Sequence, residues 1–447
     1  MRNLFLILFA LGILSIKSCL VIEHPFAKIP AGYWRATLDL SGNQEISGVQ
    51  QTNVDDEDID RNLQAIKDTE LPFVMEVKYY EDKPDDFYIE IINGDERIRV
   101  ENIQFGRSKE RAIDTVRIDF PHFDTYIIAT FRERFLNGHW VVNYKENYKI
   151  PFKAKFGEDF RFTELNKAPK ADLTGKWAAT FGLSDSESYP AIGEFSQNNN
   201  TLTGTFLTET GDYRFLEGTV QEDKFYLSCF DGAHAFLYNG KIINQDSIIG
   251  SFRSGNHYID TWEAIRNNQA SLQNPDSLTF MKPGFDKFNF KFEDPDGNMV
   301  SLDYPQFQGK AKIIQIMGSW CPNCLDETSF LKEYLKNNNT EQLAVIGLAF
   351  ERYKDSEKNK EIIARYKKEL NIPYPILLAG SYDKKAAAEA LPMLSAIVSY
   401  PTMIFLNKDN EVVRIHTGFS GPATSAYPEF KREFEQFTQR LMNEKDL

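Results

Sequence analysis

Cys321 and Cys324 are separated by Pro322 and Asn323 and preceded by Trp320. Two sulfurs at this spacing can close a disulfide across one helical turn, or they can supply half of a zinc site. The apolar run Lys312 to Met317 reads as a strand, Gly318-Ser319 as a turn, and the residues from Pro322 onward as a helix. Pro322 falls in the first helical turn, where its missing N–H is not needed, so Cys321 stands at the helix N-terminus. Unpaired backbone amides and the positive end of the helix dipole favour thiolate over thiol there. Cys321 is therefore the expected attacking sulfur, and Cys324, one turn inward, the resolving one. Attack on a substrate disulfide leaves a mixed disulfide on Cys321, which Cys324 displaces to form the Cys321–Cys324 bond. The chain has four cysteines, at 19, 229, 321 and 324, so the second ligand pair of a zinc site is missing. Dithiol-disulfide exchange is the expected chemistry, with no metal and no cofactor beyond the redox-active disulfide.

The elements around this pair alternate. Strand Leu343 to Ala349 leads into helix Lys358 to Leu370, followed by strand Tyr374 to Leu378 and a helical insert Lys384 to Leu391. Strand Thr402 to Leu406, a turn at Asn407 to Asn410, strand Val412 to Ile415 and a helix Glu429 to Met442 complete the series. Strand-helix-strand-helix followed by a hairpin and a helix predicts a mixed sheet covered on both faces, the order of a thioredoxin fold.

With these residues in view, the segment 283–447 resembles the exported, membrane-tethered thioredoxin-like proteins of the TlpA/ResA type. The family's Trp-Cys-x-x-Cys stands here as Trp320 to Cys324, and its acidic residue three positions after the second cysteine as Glu327. Its cis-proline matches Pro401 in Tyr400-Pro401-Thr402. The similarity implies that Pro401 lies against Cys321 and offers neighbouring backbone to an extended substrate; the plain alternative is a trans proline at a strand start. Cytosolic thioredoxins carry a buried Asp where this chain has Gln315, which cannot exchange a proton. The acid-base duty then falls to Glu327, unless that side chain is only a favourable partner of the helix dipole. Met317, where relatives usually have an aromatic, is read as a packing change. His416 is not read as a copper ligand, because copper-delivering relatives space their cysteines by three residues.

Upstream, 30–268 reads as all β. Runs such as Phe73 to Tyr79, Asp86 to Ile91 and Thr125 to Thr130 alternate with period two, and Asn93-Gly94, Asn137-Gly138 and Asn239-Gly240 read as hairpin turns. Gly32-Tyr33-Trp34-Arg35-Ala36-Thr37 recurs as Gly175-Lys176-Trp177-Ala178-Ala179-Thr180, and the copies close near Trp140 and Trp262. A Gly-x-Trp on the first strand with Arg266 near the last resembles the closing pattern of lipocalin-type barrels. The possible repeat, 30–168 and 172–266, makes either two half-barrels of one barrel or two small β domains. A polar linker follows from Asn267 to Phe285. Cys229 is in phase with Phe225 and Leu227 and reads as a buried apolar filler. The fold class is thus multidomain, a barrel-like all-β region followed by an α/β thioredoxin-fold domain.

The 447 residues carry a net charge of −14, with no basic surplus to neutralise phosphates, so nucleic acid is excluded as a partner. Arg2, the apolar stretch Leu4 to Leu14 and Ser15 to Ser18 form a signal peptide over 1–18. Ile16-Lys17-Ser18-Cys19 resembles a lipobox, which implies lipidation at Cys19; with Lys17 untypical there, plain cleavage is the alternative. The expected location is the periplasm or outer membrane, with membrane contact only through the lipid. The acidic run Asp55 to Asp58 lacks the Gly and distal Glu of an EF-hand and reads as a solvated loop. The expected function is reduction of disulfides in exported proteins. The resemblance suggests cytochrome c maturation or general thiol repair as substrate classes, and a membrane electron-donor protein as partner. The alternative is an envelope binding protein whose main function lies in the β region. A thiol peroxidase would need a lone peroxidatic cysteine in a Pro/Thr-rich loop.

Overall fold

A computed structural model describes residues 29–42, 66–83, 85–108, 113–183 and 187–443. The signal segment, Cys19 and the acidic run 55–58 lie outside the described residues.

The first unit is a meander of nine strands: β1 (Gly32–Asp39), β2 (Glu70–Tyr79), β3 (Phe87–Asn93), β4 (Glu96–Val100), β5 (Ile103–Ser108), β6 (Ile113–Phe120), β7 (Thr125–Arg132), β8 (Phe135–Val142) and β9 (Lys149–Phe156). The last strand returns to pair with the first, Trp34 opposite Phe156, so the sheet curls round and its two edges are the consecutive strands β4 and β5. Alternation sorts the side chains: along β7, Thr125, Ile127, Ala129 and Phe131 are buried while Ile128 and Arg132 are exposed.

The second unit repeats the plan with β10 (Gly175–Phe181), β11 (Tyr189–Asn198), β12 (Thr201–Thr208), β13 (Gly211–Asp212), β14 (Leu216–Gln221), β15 (Lys224–Phe230), β16 (Ala235–Asn244), β17 (Ser247–Ser254) and β18 (Tyr258–Arg266). Pairing of β10 with β18 and of β11 with β12 closes eight of them into a barrel, and the two-residue β13 hangs on β12 as a hairpin. The Arg266 guanidinium stacks 4.3 Å from the Trp177 ring and donates to the Thr174 and Asp172 carbonyls, the barrel closure expected from the sequence. Trp177, Trp262, Tyr238, Phe181, Phe206 and Phe252 are fully buried and fill the interior. Two separate sheets form, not one shared barrel, and Gly32 and Gly175 take matching φ of 116° and 121°.

Three readings of the β region are corrected. Asn93-Gly94 does turn, but Asn137-Gly138 lies inside β8 and Asn239-Gly240 inside β16. Both glycines answer to close approach: a Cβ on Gly138 would lie 1.9 Å from the Ile128 carbonyl oxygen, and one on Gly240 2.1 Å from the Phe225 ring. Trp140 lies on β8, paired with Ile127 and Ile150, whereas Trp262 lies on the closing strand β18 opposite Phe181, so the two do not correspond.

The third unit holds β19 (Lys291–Glu293), β20 (Met299–Ser301), β21 (Ala311–Met317), α1 (Pro322–Asn337), β22 (Leu343–Glu351), α2 (Ser356–Glu369), β23 (Ile376–Ser381), α3 (Lys384–Ala390), β24 (Thr402–Leu406), β25 (Val412–Thr417) and α4 (Tyr427–Asn443). The sheet order is β20-β19-β23-β22-β21-β24-β25, with β21, β22 and β23 parallel. The strand expected from Tyr374 starts later because Pro375 has no N–H to pair, and α2 starts earlier because the Asp355 side chain caps it. The hairpin β19–β20 was not expected; three-residue strands are too short to show a period. The linker is docked rather than free: Asp276, in a single 3-10 turn, pairs with Arg414 and His416, each at 2.8 Å.

The units pack directly on one another. Phe230 of β15 stacks on Phe73 at 4.5 Å and meets Trp140 edge-on, and Arg161 donates to the Ser228 hydroxyl at 3.0 Å and pairs with Glu217. Leu325 of α1 packs against the same core.

Candidate active site

Strand β21 is buried along its whole length and delivers the chain through Gly318 to the start of α1. Cys321 is the residue that caps this helix. Its backbone is extended, its Sγ accepts the Cys324 N–H at 3.3 Å, and its thiol donates to the Tyr400 carbonyl at 3.4 Å. Cys321 keeps 7% of its surface exposed and Cys324 none, so only the first is open to a substrate. Both cysteines are unbonded, as is Cys229, which is fully buried in the core of the second barrel. Burial, and then the hydrogen bond to Cys321, pushes the Cys324 thiol well above its ordinary range.

Beneath the pair lies a buried polar cluster. Glu327 is fully buried on α1 and accepts from the Gln315 amide at 2.9 Å; burial holds its carboxyl well above the usual carboxylate range. Gln315 also donates to the Thr328 hydroxyl at 3.1 Å and accepts from the Tyr374 hydroxyl at 3.0 Å. Gln315 thus holds the Glu327 carboxyl with a fixed dipole, and that carboxyl interacts electrostatically with both sulfurs.

The walls come from distant segments. The Tyr400–Pro401 peptide is cis, and Thr402 donates to the Ser399 carbonyl at 2.9 Å. The Trp320 indole donates to the Phe350 carbonyl at 2.9 Å, and its ring meets those of Tyr382 and Tyr400 edge-on. Glu351 is buried and accepts from the Ser319 N–H and hydroxyl at 2.9 and 2.8 Å, pinning the turn before Trp320; burial raises its carboxyl above the usual range.

The second barrel supplies the remaining wall. The β12–β13 hairpin tip lies over the helix start: the Asn323 amide donates to the Asp212 carbonyl at 3.1 Å, and the Ser399 hydroxyl donates to the Thr210 carbonyl at 2.7 Å. The Asp212 carboxylate accepts the Gly421 N–H at 2.7 Å. Arg214, itself buried, pairs with Glu96 of the first unit at 2.7 Å and with Asp326 of α1, and its Nε lies 3.6 Å from Asp231. A cleft of about 270 Å³ is left around Cys321, walled by Thr210, Gly211, Tyr213, His234, Trp320 and Tyr400. The cysteine pair, Trp320, Glu327 and Pro401 were legible as local motifs. Glu351, Arg214 and the hairpin tip were not, because nothing near them in the chain signals redox chemistry. Among the described residues no group of His, Cys, Asp and Glu is arranged to hold a metal, and no helix is long and apolar enough to cross a membrane.

Comparison with known proteins bears on this region. Residues 285–429 match the family model described as Redoxin. The chain is similar to the thiol-disulfide oxidoreductase ResA of Bacillus subtilis strain 168, 22% identical over 135 residues, which is 30% of this chain and 67% of that one. It is also similar to ResA of Halalkalibacterium halodurans, 21% identical over 137 residues, 31% of this chain and 69% of that one. Among solved structures, StoA from Bacillus subtilis is 17% identical with a TM-score of 0.25, covering 34% of this chain and 96% of that one. A thioredoxin-family thiol:disulfide interchange protein from Chlorobium tepidum TLS is 19% identical with a TM-score of 0.27, covering 35% and 95%.

Proposed function

We propose that this chain, whose C-terminal region is a TlpA/ResA-like thioredoxin-fold thiol-disulfide oxidoreductase, reduces disulfides of exported proteins through Cys321 and Cys324. One observation carries the reading: Cys321 caps α1 and accepts the Cys324 amide at 3.3 Å while a second sulfur waits one turn behind it. The Cys321 thiolate attacks one sulfur of the substrate disulfide; that S–S bond breaks, a mixed disulfide forms, and the first substrate sulfur leaves and takes a proton. Glu327, in its ionised form, takes the Cys324 proton, and Cys324 attacks the Cys321 sulfur and expels the second substrate sulfur, which takes that proton from Glu327, the first having taken its proton from water. The substrate gains two electrons and two protons, and the enzyme is left as the Cys321–Cys324 disulfide. A dithiol donor must then reduce it, for which a membrane electron-donor protein is the partner proposed.

Trp320 and Pro401 are assigned positioning roles. The first buttresses the turn that carries Cys321, and the second keeps the Tyr400 carbonyl on its sulfur. Export rests on the three-part leader at 1–18, and tethering on Cys19 at the end of a lipobox-like junction. The β region is assigned a part in the site, as the wall that narrows access to Cys321.

The test is insulin-disulfide reduction with a supplied dithiol, using the full chain. Cys321→Ser is expected to abolish turnover and Cys324→Ser to accumulate mixed disulfides; equal trapping by both variants would overturn the assignment of roles.

A further inference from the structure

Beside Trp320, the two β units and the third unit enclose a second cavity of about 180 Å³. Its lining includes Lys145, His234, His257 and Arg352 but no Asp or Glu, in a chain whose net charge is −14; the nearest carboxylate to the lining histidines is Asp231, buried behind the wall at 3.2 Å from His234 Nδ1. Lys145 Nζ lies 3.2 Å from His257 Nε2, and the other ring nitrogen of His257 meets the Tyr148 hydroxyl at 3.1 Å. The Arg352 guanidinium is packed on the faces of Trp320, Tyr144 and Tyr382 at 4.1, 4.6 and 4.8 Å. Among the described residues, neither Lys145 nor Arg352 forms an ion pair with a carboxylate, although the Arg352 charge reaches the buried Glu351 beside it in the chain.

Two residues of the same lining each carry a buried donor without a hydrogen-bond partner among the described groups, the Nε–H of Arg352 and the indole N–H of Trp140. Lys145 and Arg352 repel one another with no carboxylate in the lining between them, and buried N–H groups without acceptors are costly. Burial and the nearby Arg352 charge pull the Lys145 ammonium down to about 8, which leaves it mostly charged at neutral pH. An oxyanion answers every one of these features, since it brings charge and acceptors but needs no donor of its own.

We propose that this cavity is a carboxylate subsite, and that it takes an acidic group carried by the substrate close to its disulfide. The link to the reaction is Trp320 and His234, which line both this cavity and the cleft around Cys321. A substrate joined to Cys321 therefore has its flanking groups beside the cationic space. The inference rests on the oxidoreductase reading only for the source of the carboxylate, not for the binding.

The test compares two disulfide reagents on the reduced full chain in single-turnover mixing: 5,5′-dithiobis(2-nitrobenzoate), which carries carboxylates, and 4,4′-dithiodipyridine, which carries none. Lys145→Gln is expected to slow the first reagent by about tenfold, the worth of one charge-assisted hydrogen bond, and to leave the second within about twofold. Lys149→Gln, an exposed lysine outside the cavity, is the control for net charge and should leave both rates unchanged. Equal slowing of both reagents by Lys145→Gln, no slowing of either, or the same effect from Lys149→Gln would overturn the proposal. An acetate titration followed through the His257 imidazole NMR signals reads binding apart from chemistry. A saturable shift that Lys145→Gln removes is expected, and an unshifted signal overturns the subsite. Should the wild-type thiols react with neither reagent, the oxidoreductase reading falls and the acetate result alone judges the cavity.

Discussion

In the proposed mechanism Cys324 has to lose a proton before it can resolve the mixed disulfide, and it is a fully buried thiol that holds its proton more tightly than a free cysteine. Glu327 is the carboxylate whose charge it feels, and burial raises that group as well, against the opposing hydrogen bond from Gln315. The sign of the consequence follows from linkage. Because the folded state keeps a proton that the unfolded chain releases near pH ~4.3, the stability contributed by this group is full below that pH and is lost as pH rises toward the folded value. Glu327→Gln removes the cost of ionising a buried acid, so the variant is expected to be more stable by about 1–3 kcal/mol, with the larger gain at alkaline pH. It is also expected to slow turnover by about tenfold to a hundredfold near neutrality. Thermal melts across pH and the pH–rate profile read the two effects; an unchanged profile would return Glu327 to a purely structural part.

The hairpin β12–β13 couples a barrel to a redox site. Its tip is fixed to α1 through Asn323 and to the cis-proline turn through Ser399, over the proposed nucleophile Cys321, which is only 7% exposed. A Cβ on Gly211 would lie 2.3 Å from the Asn323 amide nitrogen, at a φ of 139° that side chains rarely adopt. Gly211→Ala should therefore lift the tip from the helix start. Insulin reduction is then expected to rise by about threefold or more, with little change toward a small neutral disulfide, as when a lid is loosened. A fall in both rates would mean that the tip helps to form the site rather than to narrow it.

Arg214 ties the molecule together, since its guanidinium reaches the first unit at Glu96, its own barrel at Asp231 and the redox helix at Asp326. Removing one member of a buried ionic group strands the others without a partner. Arg214→Met is expected to cost about 3–5 kcal/mol and to lower the thermal midpoint, with calorimetry separating the melting of the β units from that of the third unit. An unchanged midpoint would show that apolar contacts such as Phe230 on Phe73 carry the docking alone.

By itself the sequence determined what depends on neighbours in the chain. Pro322 after Cys321 specifies a capped helix start, alternation such as Thr125 to Thr130 specifies strands, and the order of strands and helices specifies the thioredoxin fold. These are legible because capping and periodicity act over one or two turns of backbone. Only the tertiary structure decided that Gly138 and Gly240 lie within strands, since their reason is a carbonyl and a ring reached across the sheet. It alone also decided that Thr210 to Tyr213, more than a hundred residues before Cys321, form one wall of its cleft, and that Lys145, His257 and Arg352 line one cavity with no Asp or Glu among its lining residues. Such meetings are set by how finished units pack, and packing complementarity leaves no periodic trace along the chain.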